Sequence, residues 1–433
     1  MRILSALAIV VASTSVFAGS DQKKKIDTIS DKLESKIIEW RRDFHQNPEL
    51  SNREFKTAEK VAAHLKSLGL SVKTGVAHTG VVGLLKGGKP GPVVGLRADM
   101  DGLPVTERTP VPFASKARST YNGRDVGVMH ACGHDTHIAI LMGVAEALVS
   151  IKDDLKGSVK FIFQPAEEGA PRGERGGARL MVEEGTLENP KVDAIFGLHI
   201  SAKTEVGIIN YRPNGIMAAS DSYRILVKGK QTHGSTPWTG IDPVVVSAQI
   251  IMGLQTIISR QTALTEDAAV VSVGSIHGGV RNNIIPEEVE IIGTIRTLDT
   301  AMQDKIHEKI RLTATKIAES AGAVAEVKIN KGYPVTYNDP ELTAQMLPTL
   351  QEAAGAEHVK LIKAITGAED FSIFQQKVPG LYFFLGGMPR GKKAEDAAPH
   401  HTPDFFIDES GLKLGVRALS YLTLDYMEQA AKK

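Results

Sequence analysis

The sequence predicts an α/β protein in which a mostly parallel-sheet domain is interrupted by a smaller ferredoxin-like unit of βαββαβ order. Three observations carry that expectation. Uninterrupted apolar runs at Val93 to Leu96, Val159 to Phe163 and Ala194 to Leu198 have the pattern of strands covered on both faces, as parallel sheets are. Helical patterns lie between the runs, including the almost wholly apolar stretch Ile138 to Val149. From about Ala218 the pattern changes to alternating strands and two amphipathic helices. The chain has 433 residues, 42% of them hydrophobic and 23% charged, which suffices for a sizeable core and for two or three domains of about 150 residues each.

The elements follow in order. Met1 to Ser20 carries one basic residue, Arg2, an uncharged apolar run from Ile3 to Ala12, and Val16-Phe17-Ala18 ahead of Gly19. This is the pattern of a cleavable signal peptide over residues 1–18, and it implies a periplasmic or secreted protein. The apolar run is shorter than the roughly 20 residues that cross a bilayer, so no membrane association is expected after cleavage. Ile26, Ile29, Leu33, Ile37, Trp40 and Phe44 form one helical stripe that stops at Asn47-Pro48. Ser51-x-x-Glu54 has the form of a capping box opening a second helix, which closes at Gly69. The three buried strands and the apolar helix come next and complete the first part of the larger domain, residues 19–215.

The inserted unit is expected over residues 216–331. Tyr223, Ile225 and Val227 alternate as in a strand, and Asp242-Pro243 starts a helix that runs to about Ser259. Strands at Val270 to Ile276 and Val289 to Ile295 precede a helix with Met302, Ile306, Ile310 and Ile317 on one face, and a strand near Val324 to Ile329 closes the unit. Two helices cover only one sheet face, which leaves a surface suited to a dimer. Beyond Tyr337-Asn338-Asp339-Pro340, an apolar strand at Leu381 to Leu385 and a helix from about Glu409 complete the larger domain over residues 332–433.

Fifty-one Lys and Arg against 50 Asp and Glu leave no net field to gather nucleic acid or anionic lipid, so small molecules are the expected partners. The chain has one cysteine, Cys132, among 13 histidines. Export would permit disulfides, yet one cysteine cannot form one within the chain. Cys132 is then a buried small hydrophobe, a free thiol or a metal ligand.

Ligands of open α/β sheets bind beyond the carboxyl ends of the strands. Here the first run leads into Arg97-Ala98-Asp99, the second into Gln164-Pro165-Ala166-Glu167-Glu168-Gly169, and the third into His199. His130-Ala131-Cys132-Gly133-His134-Asp135-x-His137 directly precedes the buried helix. A thiolate, imidazoles and carboxylates are the ligand set of zinc or a similar divalent ion, although Cys-x-His alone is a weak pattern. Glu167-Glu168 in isolation would be two solvated charges. Beside a metal, one could bind the ion while the other accepts a proton from water that the ion acidifies. His400-His401-Thr402-Pro403-Asp404 offers a late ligand.

These motifs resemble the M20 metallopeptidase family, specifically its amidohydrolase subfamily of N-acyl-amino-acid and hippurate-type hydrolases. The resemblance covers nearly all of the mature chain. It rests on Arg42-Asp43-Phe44-His45-Gln46-Asn47-Pro48-Glu49-Leu50, Leu96-Arg97-Ala98-Asp99-Met100-Asp101, Met129-His130-Ala131-Cys132-Gly133-His134-Asp135, Gln164-Pro165-Ala166-Glu167-Glu168-Gly169, Gly197-Leu198-His199, Asn283-Ile284-Ile285-Pro286-Glu287 and Gly367-Ala368-Glu369-Asp370-Phe371.

The resemblance implies two divalent ions per subunit, zinc or manganese with cobalt a further candidate. Cys132 would bridge them, and His134, Glu168, His199 and His401 would complete their shells. It implies Glu167 as general base and acid and Asp99 as a residue that orients a ligand. The inserted unit resembles a lid and dimerisation domain. In it His233 would reach across a homodimer toward the substrate oxyanion, and Asn283 and Arg296 would hold the substrate carboxylate. Where many relatives carry small residues and a second histidine after His233, this chain has Gly234-Ser235-Thr236-Pro237-Trp238. The activity so implied is metal-assisted hydrolysis of N-acyl amino acids to a carboxylate and a free amino acid. A dipeptidase or carboxypeptidase of the same family is the alternative, and an exported metal- or peptide-binding protein without catalysis is a third reading.

Overall fold

The computed structural model describes residues 9–430, with side chains from Asp21 onward. The expected leader, 1–18, therefore lies outside the described residues at positions 1–8, and at 9–18 the backbone alone is described. The chain divides into two compact units. The first comprises the residues up to Asn214, Asn338–Ile362 and the residues from Ile373 on, and the second comprises Gly215–Tyr337 with Lys363–Ser372.

The first unit is built on an eight-stranded sheet in the order Ser71–Val76, Gly80–Lys86, Lys156–Gln164, Lys89–Asp99, Ala194–Glu205, Gly380–Met388, Ile209–Tyr211 and Val359–Leu361. The four central strands, from Lys156–Gln164 to Gly380–Met388, run parallel to one another, and both of their outer neighbours run antiparallel. The three apolar runs of the sequence are the middle of this sheet, because only strands covered on both faces need be apolar throughout. The helix His134–Val149 packs on the sheet with nearly every side chain buried, which accounts for its lack of an apolar stripe. The outer helices Ile9–Gln46 and Leu412–Ala430 cover it in turn.

Two local expectations fail for identifiable reasons. Ser51 and Glu54 form no capping box; the helix begins at Phe55, and it is Glu49 that accepts from its Lys56 N at 3.2 Å and Thr57 N at 2.9 Å. The Ser51 hydroxyl instead donates to Asp101 Oδ2 at 2.7 Å, and the buried Glu54 carboxyl accepts from Thr79 Oγ1 at 2.6 Å and from Ala166 N at 2.9 Å. His199 is not at a strand end, because pairing with Gly380–Met388 carries its strand on to Glu205.

In the second unit the strands Ala219–Lys228, Ala269–Gly278, Glu288–Thr297 and Val324–Tyr333 and the helices Pro243–Gln261 and Thr300–Ser320 alternate along the chain as βαββαβ. The sheet is antiparallel throughout, in the order Ala269–Gly278, Glu288–Thr297, Ala219–Lys228, Val324–Tyr333. Tyr223, Ile225 and Val227 point into a core with Ile250 and Leu254 from one helix and Ile306 and Ile310 from the other. Asp242 Oδ1 accepts from Val244 N at 2.8 Å and Val245 N at 3.3 Å, so the predicted cap of the first helix is present. Among the described residues, this helix alone is long and apolar enough to cross a membrane by composition, and its Val246, Ile250, Leu254 and Ile257 face is buried in the core.

Asp221 ties sheet to helix. Its buried carboxylate accepts from Gln303 Nε2 and His307 Nε2, both at 2.7 Å, and from Gly332 N at 3.1 Å. Burial opposes its ionisation, but these donors outweigh burial and lower its pKa. Removing one partner from such a network leaves buried donors unpaired, so Asp221→Ala is expected to cost about 1–3 kcal/mol in urea unfolding at neutral pH. A carboxylate with a lowered folded-state pKa stabilises above its unfolded value of about 3.9 and loses that contribution as pH falls below it. The gap between wild type and variant should therefore be full above about pH 4 and close on further acidification; a gap independent of pH would contradict the charged network.

Candidate metal centre

Four stretches of the first unit bring metal-ligating chemistry to one place. The helix His134–Val149 begins directly after Gly133, whose φ of +91° and packing admit no side chain, since a Cβ there would lie 2.3 Å from Ile200 Cγ2. That tight entry sets Cys132 just before the helix and His134 on its first turn. Strand Lys156–Gln164 runs out into Pro165 and Ala166, and Ala166, left-handed at φ +52°, turns the chain so that Glu167 and Glu168 follow at the sheet edge. His199 comes from the middle of its strand. His401, left-handed at φ +64°, is held by its N–H donating to Ala131 O at 2.8 Å.

The reactive atoms converge. Cys132 Sγ lies 3.4 Å from His199 Nε2 and 3.3 Å from His401 Nε2, and His401 Nε2 lies 3.0 Å from Glu168 Oε1. His134 Nε2 is 3.9 Å from Glu167 Oε2. Cys132, Glu168 and His401 form one group whose ligand atoms all lie within 4.8 Å of one another, and His134, Glu167 and Glu168 form another that shares Glu168. The partners of the second ring nitrogens say which atoms are free to ligate. His199 Nδ1 faces Ile200 O at 2.6 Å and must donate to it, which leaves Nε2 as a lone pair beside Cys132. His134 Nδ1 donates to Asp101 O at 2.9 Å, and its Nε2 is buried with no hydrogen-bond partner.

The same reasoning separates the two adjacent histidines near the C-terminus. His400 Nδ1 lies 3.2 Å from the carbonyl of Cys132, and its Nε2 accepts from Ala202 N at 3.2 Å. Both nitrogens face the backbone, Nδ1 also lies 3.7 Å from Cys132 Sγ, and burial together with His401 lowers its pKa to about 3, so the ring is neutral. His401 keeps a ring nitrogen on the cluster.

The charges complete the picture. Burial and then the carboxylates of Glu168, Glu167 and Asp99 push the Cys132 thiol well above its usual range. Burial opposes charge on His134, yet Asp99, Asp101 and Glu168 raise it to about 10. Burial, His137 and His400 hold His199 well below the ordinary histidine value. Thiolate and neutral imidazole are the ligand forms, and this crowd of carboxylates reaches them when cations balance it. The donor set and the orphaned His134 Nε2 thus fit divalent ions.

The resemblance gave Asp99 the task of orienting a ligand and gave Asp101 none. Asp99 Oδ1 accepts from His137 Nδ1 at 2.6 Å and lies 3.8 Å from His134 Nδ1, and its Oδ2 accepts from Arg97 Nη1 at 2.6 Å. His137 Nε2 in turn accepts from Ile200 N at 2.8 Å, so this pair ties the helix start to the strand that carries His199. Asp101 is the residue that holds the site together. Its Oδ1 accepts from Glu167 N at 3.1 Å and lies 3.3 Å from His134 Nδ1, while its Oδ2 accepts from Glu168 N at 3.0 Å. The available signal was the spacing in Asp99-Met100-Asp101, since residues two apart on an extended chain share a side.

The remaining expected residues belong to the second unit. His233 pairs through its backbone with Ile284, and its Nδ1 accepts from Ser235 N at 3.1 Å. Asn283 O accepts from Gly234 N at 2.8 Å, which joins the two segments, and Asn283 Oδ1 is buried without a partner. Arg296 turns its guanidinium to Thr294 Oγ1 and to Ile295 O.

A mainly parallel α/β sheet with thiol, imidazole and carboxylate groups gathered at its edge defines a metal-binding hydrolase. Residues 95–425 match the model of peptidase family M20/M25/M40, and the chain belongs to that family. It is 42% identical over 408 residues to thermostable carboxypeptidase 2 of Saccharolobus solfataricus, covering 94% of this chain and 99% of that protein. It is 36% identical over 397 residues to N-acetylcysteine deacetylase of Bacillus subtilis, covering 91% and 97%. Among solved structures, the Bacillus subtilis YXEP protein, described as a dinuclear metal-binding peptidase of the M20 family, superposes with a TM-score of 0.76 at 35% identity, covering 92% of this chain and 99% of that one.

An amide at position 101 would turn an NH2 group toward one of the two backbone N–H groups that the carboxylate now satisfies. Asp101→Asn is expected to lower stability by about 1–3 kcal/mol in denaturant unfolding. An unchanged midpoint would contradict the role given to Asp101.

Proposed function

We propose that this protein hydrolyses N-acyl amino acids to a carboxylate and a free amino acid, with two divalent ions, zinc or manganese, held by Cys132, His134, Glu168, His199 and His401. The observation that carries the reading is the convergence of Cys132 Sγ, His199 Nε2, His401 Nε2 and Glu168 Oε1, with Glu167 beside them. Bound divalent ions would acidify water and polarise the substrate carbonyl. Glu167 accepts the proton of the attacking water as its oxygen bonds to the carbonyl carbon, then delivers it to the nitrogen as the C–N bond breaks. Asp101 fixes the backbone of Glu167 and Glu168 during that exchange, so the base does not swing away from its target.

The likeness to a deacetylase that acts on an N-acetylated amino acid supports the acylated substrate. The greater identity to carboxypeptidases supports a second reading, hydrolysis of short peptides by the same groups. The resemblance alone carries three further parts of the proposal. These are the lid and homodimer role of the second unit, His233 as the oxyanion donor across that dimer, and Asn283 and Arg296 as holders of the substrate carboxylate. Export to the periplasm or medium is proposed on the pattern of residues 1–18.

Cys132→Ala and His401→Ala should each lower the metal content found by elemental analysis. Glu167→Gln should keep it while kcat falls by about a hundred- to ten-thousandfold, the usual range for a lost general base; turnover near wild type would remove Glu167 from that role. The mass of the protein recovered from the periplasm should correspond to a chain beginning at Gly19, and a full-length mass would overturn the leader.

A further inference from the structure

Residues 104–117, in the first unit, form no helix or strand, yet they are pinned to their surroundings. A buried carboxylate organises them. Glu107 Oε1 accepts from Thr109 Oγ1 and its Oε2 from Ser115 N at 2.5 Å, so the loop closes on this side chain. Phe113 packs against the guanidinium groups of Arg41 and Arg42, each 5.0 Å from its ring centre. Arg108 reaches the segment that carries His401: its N–H donates to Pro403 O at 2.9 Å, and its guanidinium meets Asp404 at 2.5 and 3.1 Å.

The loop's buried anchor is His45. Its Nε2 lies 3.0 Å from Glu107 Oε1 and its Nδ1 2.9 Å from Asp135 Oδ2. A neutral imidazole has one N–H and would turn a lone pair on one of these carboxylates, so both nitrogens donate and the ring is an imidazolium. Arg41 shares Asp135, with Nε 2.7 Å from Oδ2 and Nη2 3.4 Å from His45 Nδ1, and Glu409 pairs with both Arg41 and Arg42. His130, close by, is a buried neutral ring whose pKa burial lowers to about 4. Asp135, Glu107 and Glu409 thus face Arg41, Arg42 and His45, a balance that holds only with the ring charged. Burial opposes charge on His45 and Arg41 repels it, but Asp135 and Glu107 outweigh both and raise its pKa.

We propose that His45 is a positioning residue: as an imidazolium it binds 104–117 to the start of the helix His134–Val149, and through 104–117 it holds the segment of His401 in place. The inference rests on the reading of His401 as a ligand and not on which amide is cleaved. Loss of one proton would leave Glu107 facing a lone pair, and the loop would loosen together with its contact to Pro403.

The test is amide hydrogen exchange, corrected for intrinsic rates, and urea unfolding of the full chain for wild type, His45→Gln and Glu107→Gln, as purified and again after EDTA. In His45→Gln, protection of 104–117 and 399–405 should fall about tenfold or more at pH 6, the scale of one hydrogen bond to a charged group, with the strand Lys89–Asp99 unmoved. A histidine with a raised folded-state pKa stabilises fully below its unfolded value of about 6.5 and loses that contribution as pH rises through the folded one. Wild-type protection of both segments should therefore fall as pH rises above about 6.5, and the difference in unfolding midpoint between wild type and His45→Gln should narrow over the same range. Glu107→Gln makes a neutral ring sufficient, because Nδ1 still donates to Asp135 while Nε2 accepts from the new amide. Both segments should then be protected as in wild type at pH 6 and keep that protection at pH 9. A difference between wild type and His45→Gln that stays constant from pH 5 to 9, or a loss of protection in 104–117 that leaves 399–405 unmoved, overturns the proposal. If His45→Gln does not fold, wild type against Glu107→Gln decides, and equal pH dependence of the two overturns it. The same pattern is expected after EDTA, so a chain that holds no metal would sink the metal reading and leave this test standing.

Discussion

The structure depends on one electrostatic constraint: four carboxyl groups and a thiol share one buried sheet edge. Asp99 and Asp101 are fully buried, Glu167 nearly so, and Glu168 stands close by with Cys132. Charges in such a place must be paired or bind metal, because the cost of removing an ion from water otherwise exceeds the gain of folding around it. Protein cations answer part of the demand. Arg97 takes one oxygen of Asp99, and His137 takes the other. The rest is left to atoms that face one another with lone pairs, and divalent cations would meet that need.

The fold supplies what holds this edge still. Asp101 receives the N–H groups of both catalytic-edge glutamates, Glu54 receives that of Ala166, and His137 receives that of Ile200. Each buried acceptor thus fixes a backbone segment next to a proposed ligand. The left-handed residues Ala166 and His401 belong to the same design, since conformations that disfavour ordinary side chains persist where the surroundings hold them. A network farther out repeats the principle. Asp135, the neighbour of His134, accepts from His45 Nδ1 at 2.9 Å and lies 2.7 Å from Arg41 Nε, so the first long helix is locked to the helix that carries the site.

Periodicity made the centre of the fold legible and left its margins obscure. The apolar runs at 93–96, 159–163 and 194–198 mark strands buried on both faces, and the stripe Ile26, Ile29, Leu33, Ile37 marks a helix buried on one. The edge strand Ser71–Val76 was not legible, because it is mostly exposed and carries no clear alternation, and its inner neighbour Gly80–Lys86 was missed with it. Ser51 and Glu54 had the form of a helix cap, but tertiary partners claimed both side chains. For the site, residue type and spacing pointed to a metal cluster around Cys132 and Glu167-Glu168, and the family resemblance alone named Cys132, His134, Glu168 and His199 as ligands. The choice of His401 over His400 became physical only with the backbone partners of His400 in view. Asp101 was hidden in a motif whose first aspartate drew the attention, since sequence does not say which of two acids on one side of a strand meets the next turn.

Cations that complete this edge would take Cys132 among their ligands. Titration of metal-free protein with cobalt, followed by absorption spectroscopy and by metal analysis after gel filtration, tests it directly. Two ions should be retained per chain, with a thiolate-to-cobalt charge-transfer band that is absent from Cys132→Ser. Retention of no cobalt, or binding with no thiolate band, would contradict it.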